Sequence, residues 1–128
     1  MPSSMESPLM AGSAEVDITP PVGVLMAGNL KGRPSTGVDD PLHVKAVVLE
    51  SGGERLVCVT YDLVGLPREE GDRCLVEAAR KSGLPAERIV WAATHTHTGP
   101  YTSQWQPPRS APQAPWPSPT PPSSANSA

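Results

Sequence analysis

Residues 55–94 read RLVCVTYDLVGLPREEGDRCLVEAARKSGLPAERIVWAAT, and this stretch decides the fold. Its first part, Arg55–Asp62, is a nearly continuous apolar run, which is typical of a strand that is buried on both faces. Residues Arg68–Ser82 have the pattern of a helix, with acidic residues early, basic residues late and Gly83 placed to end it. A second apolar run, Ile89–Ala93, predicts another strand. The order strand, helix, strand predicts two parallel strands that are joined by a right-handed crossover.

Two further strands are predicted before this unit. Ala11–Ile18 alternates weakly between apolar and polar residues, and Leu42–Glu50 has the composition of a strand. Ser51–Glu54 contains two glycines, which tolerate the positive φ angles of a tight hairpin turn. The glycine-rich residues Val24–Gly37 are predicted as a loop. We therefore expect an α/β fold, with a partial mixed sheet, a parallel strand–helix–strand unit and an N-terminal hairpin.

Composition excludes several classes of function. The net charge of −3 carries no signal for binding to nucleic acid or to an anionic membrane. No apolar run reaches the length of about 18 residues that a transmembrane helix needs. Residues Met1–Met10 lack the pattern of a secretory signal, so the cytoplasm is the default expectation for localisation. Cys58 and Cys74 are expected to be buried free thiols.

The chain divides into three parts by composition. We expect a disordered N-terminus over residues 1–10, one domain over residues 11–103 and a disordered Pro/Ser-rich tail over residues 104–128. Trp105 and Trp116 are isolated in the tail, where they could form a weak interaction motif. The abrupt change of composition at the start of the tail also suggests a second interpretation, a stretch translated out of frame.

Two histidines directly follow the second strand of the parallel unit, in the motif Thr94–Pro100, which reads THTHTGP. Residues two apart in an extended chain share a face, so His95 and His97 can reach one point if strand geometry continues through them. Imidazole is the commonest metal ligand among side chains. The pair therefore predicts the first part of a metal site, while ordinary hydrogen bonds to the neighbouring threonines are the alternative.

Asp62 ends the first parallel strand and is expected to line the same crevice as the histidines, because ligands bind beyond the carboxyl ends of strands in such sheets. Its carboxylate would either orient a ligand histidine or cap a loop. The loop over residues 23–37 is expected to form a wall of the crevice, and Gly28 and Gly99 are expected to allow close backbone approach. Three side chains are interpreted as solvated or structural: Lys31, Arg33 and His43.

The motif at 94–100 resembles the Thr-His-Thr-His-Ser-Gly-Pro signature of the neutral/alkaline, non-lysosomal ceramidases, with Thr98 where serine is usual. Residues 11–21, AGSAEVDITPP, are similar to the opening of that family's N-terminal domain. Three shorter segments lie between them in the expected order: Met26-Ala27-Gly28, Asp40-Pro41-Leu42 and Tyr61-Asp62-Leu63-Val64-Gly65. The resemblance covers about residues 11–102 and is specific in combination.

What the resemblance implies is a zinc-dependent amidase that hydrolyses the N-acyl bond of ceramide to a sphingoid base and a fatty acid. His95 would be a ligand of the single Zn²⁺ ion, and His97 would hydrogen-bond the substrate carbonyl oxygen or the developing oxyanion. The family's remaining zinc ligands, a second histidine, a glutamate and a tyrosine, lie downstream of the motif, and Tyr101 is too close to it to be that tyrosine. The zinc site is therefore only partly encoded here, and we expect a truncated domain that is inactive alone.

Two alternatives to a ceramidase remain open at the level of sequence. One is another His-x-His metal hydrolase, although a metallo-β-lactamase-like site needs Asp-His soon after the second histidine, where Thr98-Gly99 stands here. An amidohydrolase usually places its His-x-His after the first barrel strand, whereas at least three predicted strands precede it here. The other alternative is a non-catalytic remnant or interaction module with a Pro-rich tail. In either case an incomplete sheet has open edges, through which self-association is expected.

Overall fold

A computed structural model describes residues 7–29 and 32–102 of the chain. Within these residues a four-stranded sheet with the order β1-β4-β5-β6 is accompanied by a two-stranded sheet, β2-β3. In chain order the elements are β1 (Met10–Asp17), β2 (Leu25–Met26), β3 (Arg33–Pro34), β4 (His43–Ser51), β5 (Glu54–Tyr61), α1 (Arg68–Ser82), a 3₁₀ helix (Ala86–Arg88) and β6 (Ile89–Ala93). Neighbouring strands are antiparallel except for β5 and β6, which are parallel. The predicted α/β class and the parallel strand–helix–strand unit are confirmed.

The hairpin between β4 and β5 forms where the two glycines were expected. Gly52 and Gly53 both have positive φ angles, and the strands pair from Ser51 opposite Glu54 to Val44 opposite Tyr61. Strand β1 pairs with the other edge of β4 along its whole length, a partner that the sequence pattern did not identify. The antiparallel pairing thus places the start of β4 beside the end of β5, and β6 lies on the other side of β5.

Helix α1 has the bounds that its sequence predicts, and it packs against β6 through a glycine. Gly71 is the buried residue of the helix, and the Trp91 side chain lies against it. The Trp91 ring in turn meets Tyr61 edge to face, with ring centroids 6.1 Å apart. The absence of a side chain at Gly71 lets a bulky indole fill the space between helix and sheet, which holds the crossover against the two parallel strands.

An ion-pair cluster on the exposed side of α1 makes stability depend on pH. Two hydrogen bonds from the Arg80 guanidinium, together with its charge and that of Lys81, lower the pKa of Glu77 from its ordinary value of 4.5 to about 2. A carboxylate whose pKa is lowered by folding stabilises the protein above its unfolded pKa and loses that effect as the pH falls through its folded pKa. Glu77→Gln is therefore expected to lower Tm near neutral pH, with the difference from the natural chain vanishing as the pH falls from 4.5 toward about 2.

Thermal unfolding followed by circular dichroism across this pH range measures the effect. The matched control is Glu87→Gln, which removes an exposed carboxylate without an ion pair among the described residues. A difference between Glu77→Gln and the natural chain that persists unchanged at the acid end would contradict this role of the ion pairs.

The structure corrects two predictions about the strands. The residues predicted as a loop, Val24–Gly37, contain β2 and β3, because backbone hydrogen bonds such as Ser35 N–H to Val24 C=O, at 2.8 Å, join the two sides of this segment. Strand β5 is not buried on both faces: Val57 is buried, but Leu56 is 39% exposed. Helix α1 packs on the face that carries Trp91, and among residues 7–29 and 32–102 no further helix of that size covers the opposite face.

Both cysteines are free, as predicted, but they are not buried. Cys58 is half-buried and Cys74 is exposed, although Cys74 lies close enough to Tyr61 of β5 to affect its pKa. Within the described residues no helix is both long and apolar enough to cross a membrane. The predicted disorder of residues 1–6 and of the tail, and the interpretations of Lys31, Trp105 and Trp116, lie outside the described residues, while β1 begins at Met10.

Candidate metal and active site

The candidate site lies where the chain leaves the carboxyl ends of β5 and β6. Strand β6 ends at Ala93, and the chain then continues along the residues that follow β5. Thr94 N–H donates to the Tyr61 carbonyl at 2.9 Å, and His95 N–H donates to the Leu63 carbonyl at 3.0 Å. The parallel pairing therefore carries His95 to the buried turn after β5, at the edge of the sheet where a ligand site was predicted.

His95 is held in a strained and well-defined position. Its φ angle is 62°, and it is the one residue other than glycine with positive φ among those the structure describes. Such a conformation costs on the order of 1–3 kcal/mol and persists only where the surroundings impose it. The ring nitrogen Nδ1 lies 2.6 Å from the carbonyl oxygen of Val64. Because a carbonyl can only accept, Nδ1 carries the proton in this contact, which leaves Nε2 as the nitrogen that can offer a lone pair.

His97 lies close to His95, although not for the reason that the sequence predicts. Strand geometry does not continue through the motif, because β6 ends at Ala93 and His95 adopts a left-handed conformation. The two ring centroids are nevertheless 4.9 Å apart, with the ring planes at 78°. Both residues are exposed. The left-handed turn, rather than strand alternation, brings the two imidazoles to one place.

Both glycines that were expected to allow close approach do so. A Cβ atom on Gly28 would lie 2.5 Å from Cγ of His97, so the chain passes directly against this histidine. A Cβ atom on Gly99 would lie 3.4 Å from the carbonyl oxygen of Asp62. A hydrogen bond of 2.8 Å from Ala27 N–H to the Gly99 carbonyl joins the two glycine segments. The N-terminal loop and the histidine motif are therefore parts of one packed unit.

Asp62 lies at the end of β5, as predicted, and its hydrogen bonds run to β4. Its Oδ2 accepts from His43 N–H at 2.9 Å, and its own N–H donates to the His43 carbonyl at 2.9 Å. Among the described residues no hydrogen bond joins the Asp62 carboxylate to His95 or His97. This geometry corresponds to the loop-capping interpretation, and the orientation of a ligand histidine by Asp62 stays a prediction.

A cavity of about 490 Å³ opens on the side of the motif that carries its threonines. Asp62 lines it but neither His95 nor His97 does, so the expectation that all three share one crevice is wrong for this cavity. Of the motif, only Thr96, Thr98, Gly99 and Pro100 line it. The lining residues are Thr19, Pro20, Val24, Met26, Arg33, Ser35, Thr36, Gly37, Val38, Asp39, Asp40, Pro41, Leu42, Asp62, Thr96, Thr98, Gly99 and Pro100.

The loop over residues 23–37 contributes several residues to the wall of this cavity, whereas its place in a crevice that holds the histidines stays a prediction. Arg33 is exposed, in agreement with its interpretation as a solvated side chain, and it lines the cavity. Thr19 and the segment from Val38 to Pro41 were missed. The signals that could have identified them are the segments of the family resemblance at residues 11–21, which include Thr19, and at Asp40-Pro41-Leu42, because neither hydropathy nor spacing distinguishes a cavity wall from any polar loop.

Two titratable groups of the sheet, Asp17 at the end of β1 and Tyr61 at the end of β5, have shifted pKa values. Hydrogen bonds from Thr19, including its N–H at 2.7 Å, lower the pKa of Asp17, so this exposed carboxylate is ionised in the folded chain near neutral pH. Burial beside Trp91, with a smaller contribution from Cys74, raises the pKa of Tyr61. The phenol of Tyr61 therefore stays protonated at neutral pH and acts as packing under the site.

The imidazoles of His95 and His97 are of a type that binds zinc, but two side chains are too few to complete a zinc site. Hydrolytic zinc sites use about three protein ligands, and imidazole nitrogen is among the preferred ones. In the part of the chain that the structure describes, no group of three or more His, Cys, Asp or Glu side chains could hold a metal ion. The described residues therefore supply imidazole nitrogens of the kind that zinc prefers, but not a complete ligand set.

Neither a scan against protein-family models nor a search of curated proteins gave a match. Solved structures did match: the crystal structure of neutral ceramidase from Pseudomonas aeruginosa has a TM-score of 0.66 and 31% sequence identity, over 74% of this chain and 16% of that one. A structure of ceramidase complexed with C2 has a TM-score of 0.62, with the same identity and coverage. The chain thus spans 16% of the length of these proteins. Within that span it has a ceramidase-like fold.

Proposed function

We propose that this chain carries part of the active site of a zinc-dependent amidase of the ceramidase type, which hydrolyses the N-acyl bond of a ceramide-like lipid. The observation that carries the proposal is the imposed geometry of the His95–His97 pair at the end of a parallel strand. The ceramidase-like fold supports the choice of substrate class, because the matched proteins are ceramidases.

His95 is proposed as the zinc ligand, through Nε2. The Val64 carbonyl accepts the Nδ1 proton, and this arrangement is the one that orients ligand histidines and raises their basicity in metal sites. The left-handed backbone and the bond to Leu63 hold the ring before any ion arrives. When bound, zinc polarises a carbonyl and lowers the pKa of a coordinated water toward about 7. The contribution of His95 is to present one lone pair at a constant position.

His97 is proposed as the hydrogen-bond donor to the substrate carbonyl oxygen, and then to the oxyanion that develops from it. Its ring is exposed and lies 4.9 Å from that of His95, close enough for both to act on one amide group. A donor placed where negative charge develops stabilises the transition state more than the ground state. This role requires a proton on the nitrogen that faces the substrate, so His97 would donate a hydrogen bond, whereas His95 would offer the Nε2 lone pair to the ion.

Zinc binding by the full chain tests the ligand role directly. Purified chain is stripped with a chelator, and its affinity for added Zn²⁺ is measured by competition with a metal-sensitive dye. We expect weak binding of no more than one ion per chain, because about one of the usual three ligands is supplied. His95→Ala is expected to abolish that binding, since it removes the oriented lone pair.

His43→Ala is the matched control, because His43 is the third histidine of the chain and lies on β4. Zinc binding that survives His95→Ala, or that His43→Ala removes equally, would contradict the assignment. A natural chain that binds no zinc at all would favour the non-catalytic remnant instead.

A further inference from the structure

Gly28 lies so close to His97 that no side chain fits between them. A Cβ atom on Gly28 would be 2.5 Å from Cγ, 2.6 Å from Cβ and 2.8 Å from Cα of His97. Carbon atoms in contact are normally about 3.5–4.0 Å apart. Because one of the overlapping atoms is the His97 Cα, rotation of the imidazole alone cannot relieve the overlap. A methyl group at position 28 must therefore displace the histidine itself or the loop that carries Gly28.

The loop that carries Gly28 is not free to move away. Ala27, its neighbour, is fully buried and donates from its N–H to the Gly99 carbonyl at 2.8 Å. Two residues away along each segment, Tyr101 N–H donates to the Leu25 carbonyl at 3.3 Å. These bonds join the loop to the residues directly after His97. The overlap would therefore be relieved mainly by movement of His97.

The two histidines are held by different parts of the chain. His95 is bonded to the carbonyls of Leu63 and Val64, after β5. The His97 ring has no hydrogen bond within residues 7–29 and 32–102, so its position depends on packing. It lies against Gly28 and, edge to face, against the His95 ring. A change at Gly28 should therefore move His97 and leave His95 in place.

We propose that Gly28 is a positioning residue, whose lack of a side chain sets the distance between the His97 and His95 rings. This inference rests on the proposed function, because that distance matters to catalysis only if the two rings act on one amide group. It explains why a glycine far away in sequence is needed next to the motif. The same position also has a φ angle of +93°, which glycine adopts without strain.

Gly23 provides a matched control for the backbone. Its φ angle is +101°, close to that of Gly28, but a Cβ atom there would have no heavy atom within 4 Å. Gly23→Ala therefore introduces the same conformational strain without the overlap. Comparison of Gly28→Ala with Gly23→Ala isolates the effect of the contact with His97.

The test uses the full chain without zinc and measures nuclear Overhauser contacts in NMR spectra of histidine-labelled protein. In Gly28→Ala we expect loss of the contacts between the His95 and His97 rings, with retention of those between His95 and Val64. Gly23→Ala should retain both sets. Zinc affinity, measured on the same samples, reports on the proposed function separately: it should be equal in Gly28→Ala and the natural chain, because the ligand His95 does not move.

Ring contacts that survive in Gly28→Ala, or that Gly23→Ala removes equally, would overturn the positioning role whether or not the chain binds zinc. If Gly28→Ala does not fold, the same change is made together with His97→Gly, which removes the overlapping Cβ and Cγ atoms. A double variant that folds, with a Tm below that of the His97→Gly single variant by about the amount that Gly23→Ala lowers the natural chain, supports the inference, and continued failure to fold overturns it.

Discussion

Gly71→Ala is expected to destabilise the chain, although alanine is the better helix former by about 1 kcal/mol. A Cβ atom on Gly71 would lie 2.1 Å from Cζ2 and 2.5 Å from Cε2 of Trp91. These atoms belong to a large ring between helix and sheet, so the helix or the indole must shift by more than 1 Å to reach the normal contact distance of about 3.5 Å. Overpacking of this kind typically costs about 1–3 kcal/mol, and an overlap this deep places the cost at the upper end.

Urea unfolding measures this loss, with the thermal midpoint as a second readout. For a domain of this size each kcal/mol corresponds to about 4–8 °C in Tm. Val76→Ala serves as the control for helix propensity, because Val76 is 62% exposed on the same helix and its replacement gains propensity without an overlap. We expect the control to be neutral or stabilising, while Gly71→Ala is destabilising.

Trp91→Leu combined with Gly71→Ala identifies the cause of the loss. Leucine lacks the ring atoms that the new methyl group meets, so the double variant should be more stable than the two single effects predict, with a coupling free energy of about 0.5–3 kcal/mol. Additive effects would mean that Gly71 is needed for some reason other than the indole.

His95→Ala and His97→Ala are expected to fail in different ways when the rest of a catalytic site is present. A chimera can supply it, with residues 11–102 of this chain in place of the structurally equivalent segment of the neutral ceramidase from Pseudomonas aeruginosa. His95→Ala should lose both zinc and hydrolysis of a short-chain ceramide, because it removes a ligand. His97→Ala should retain zinc, but its kcat should fall by a factor of about 10²–10³, because it removes the proposed donor to the oxyanion.

Separate measurement of kcat and KM for His97→Ala shows whether its ring acts in the transition state or in substrate binding. An interaction that is made only in the transition state lowers kcat with little change in KM. His43→Ala should leave zinc content, kcat and KM near those of the chimera, since its backbone rather than its ring contacts Asp62. Equal loss of zinc in both motif variants would show that His97 is a second ligand. A chimera that folds and binds zinc without hydrolysing ceramide would contradict the proposed activity of this segment.

Local patterns of sequence were sufficient for the elements of the fold. The bounds of α1, Arg68–Ser82, and of β6, Ile89–Ala93, agree with the predicted ones, because charge distribution, a terminal glycine and an apolar run act over only a few residues. The glycine pair at 52–53 specified the hairpin for the same reason. The partner of β1 could not be predicted, since its pairing with β4 depends on contacts between residues about thirty or more positions apart. The short strands β2 and β3 carry too few residues for any period to be visible.

Burial likewise depended on long-range contacts rather than on local sequence patterns. An apolar run in β5 predicts burial on two faces, but burial requires a second layer of structure, and the helix covers the Trp91 side. Cys74 was expected inside for its residue type, but it is exposed, because no neighbouring element of the described chain covers it. Neither outcome is visible in a single segment, because each depends on which surfaces meet.

The sequence by itself determined the chemistry of the candidate site: two imidazoles two residues apart, at the end of a parallel strand and in a ceramidase-like motif. Only the tertiary structure decided how they are arranged. The Val64 carbonyl assigns the proton of His95, a left-handed backbone replaces the expected strand alternation, and Gly28 stands against His97. Residue types and short spacings are local properties, whereas a ring's orientation is set by atoms that the folded chain brings from more than thirty residues away.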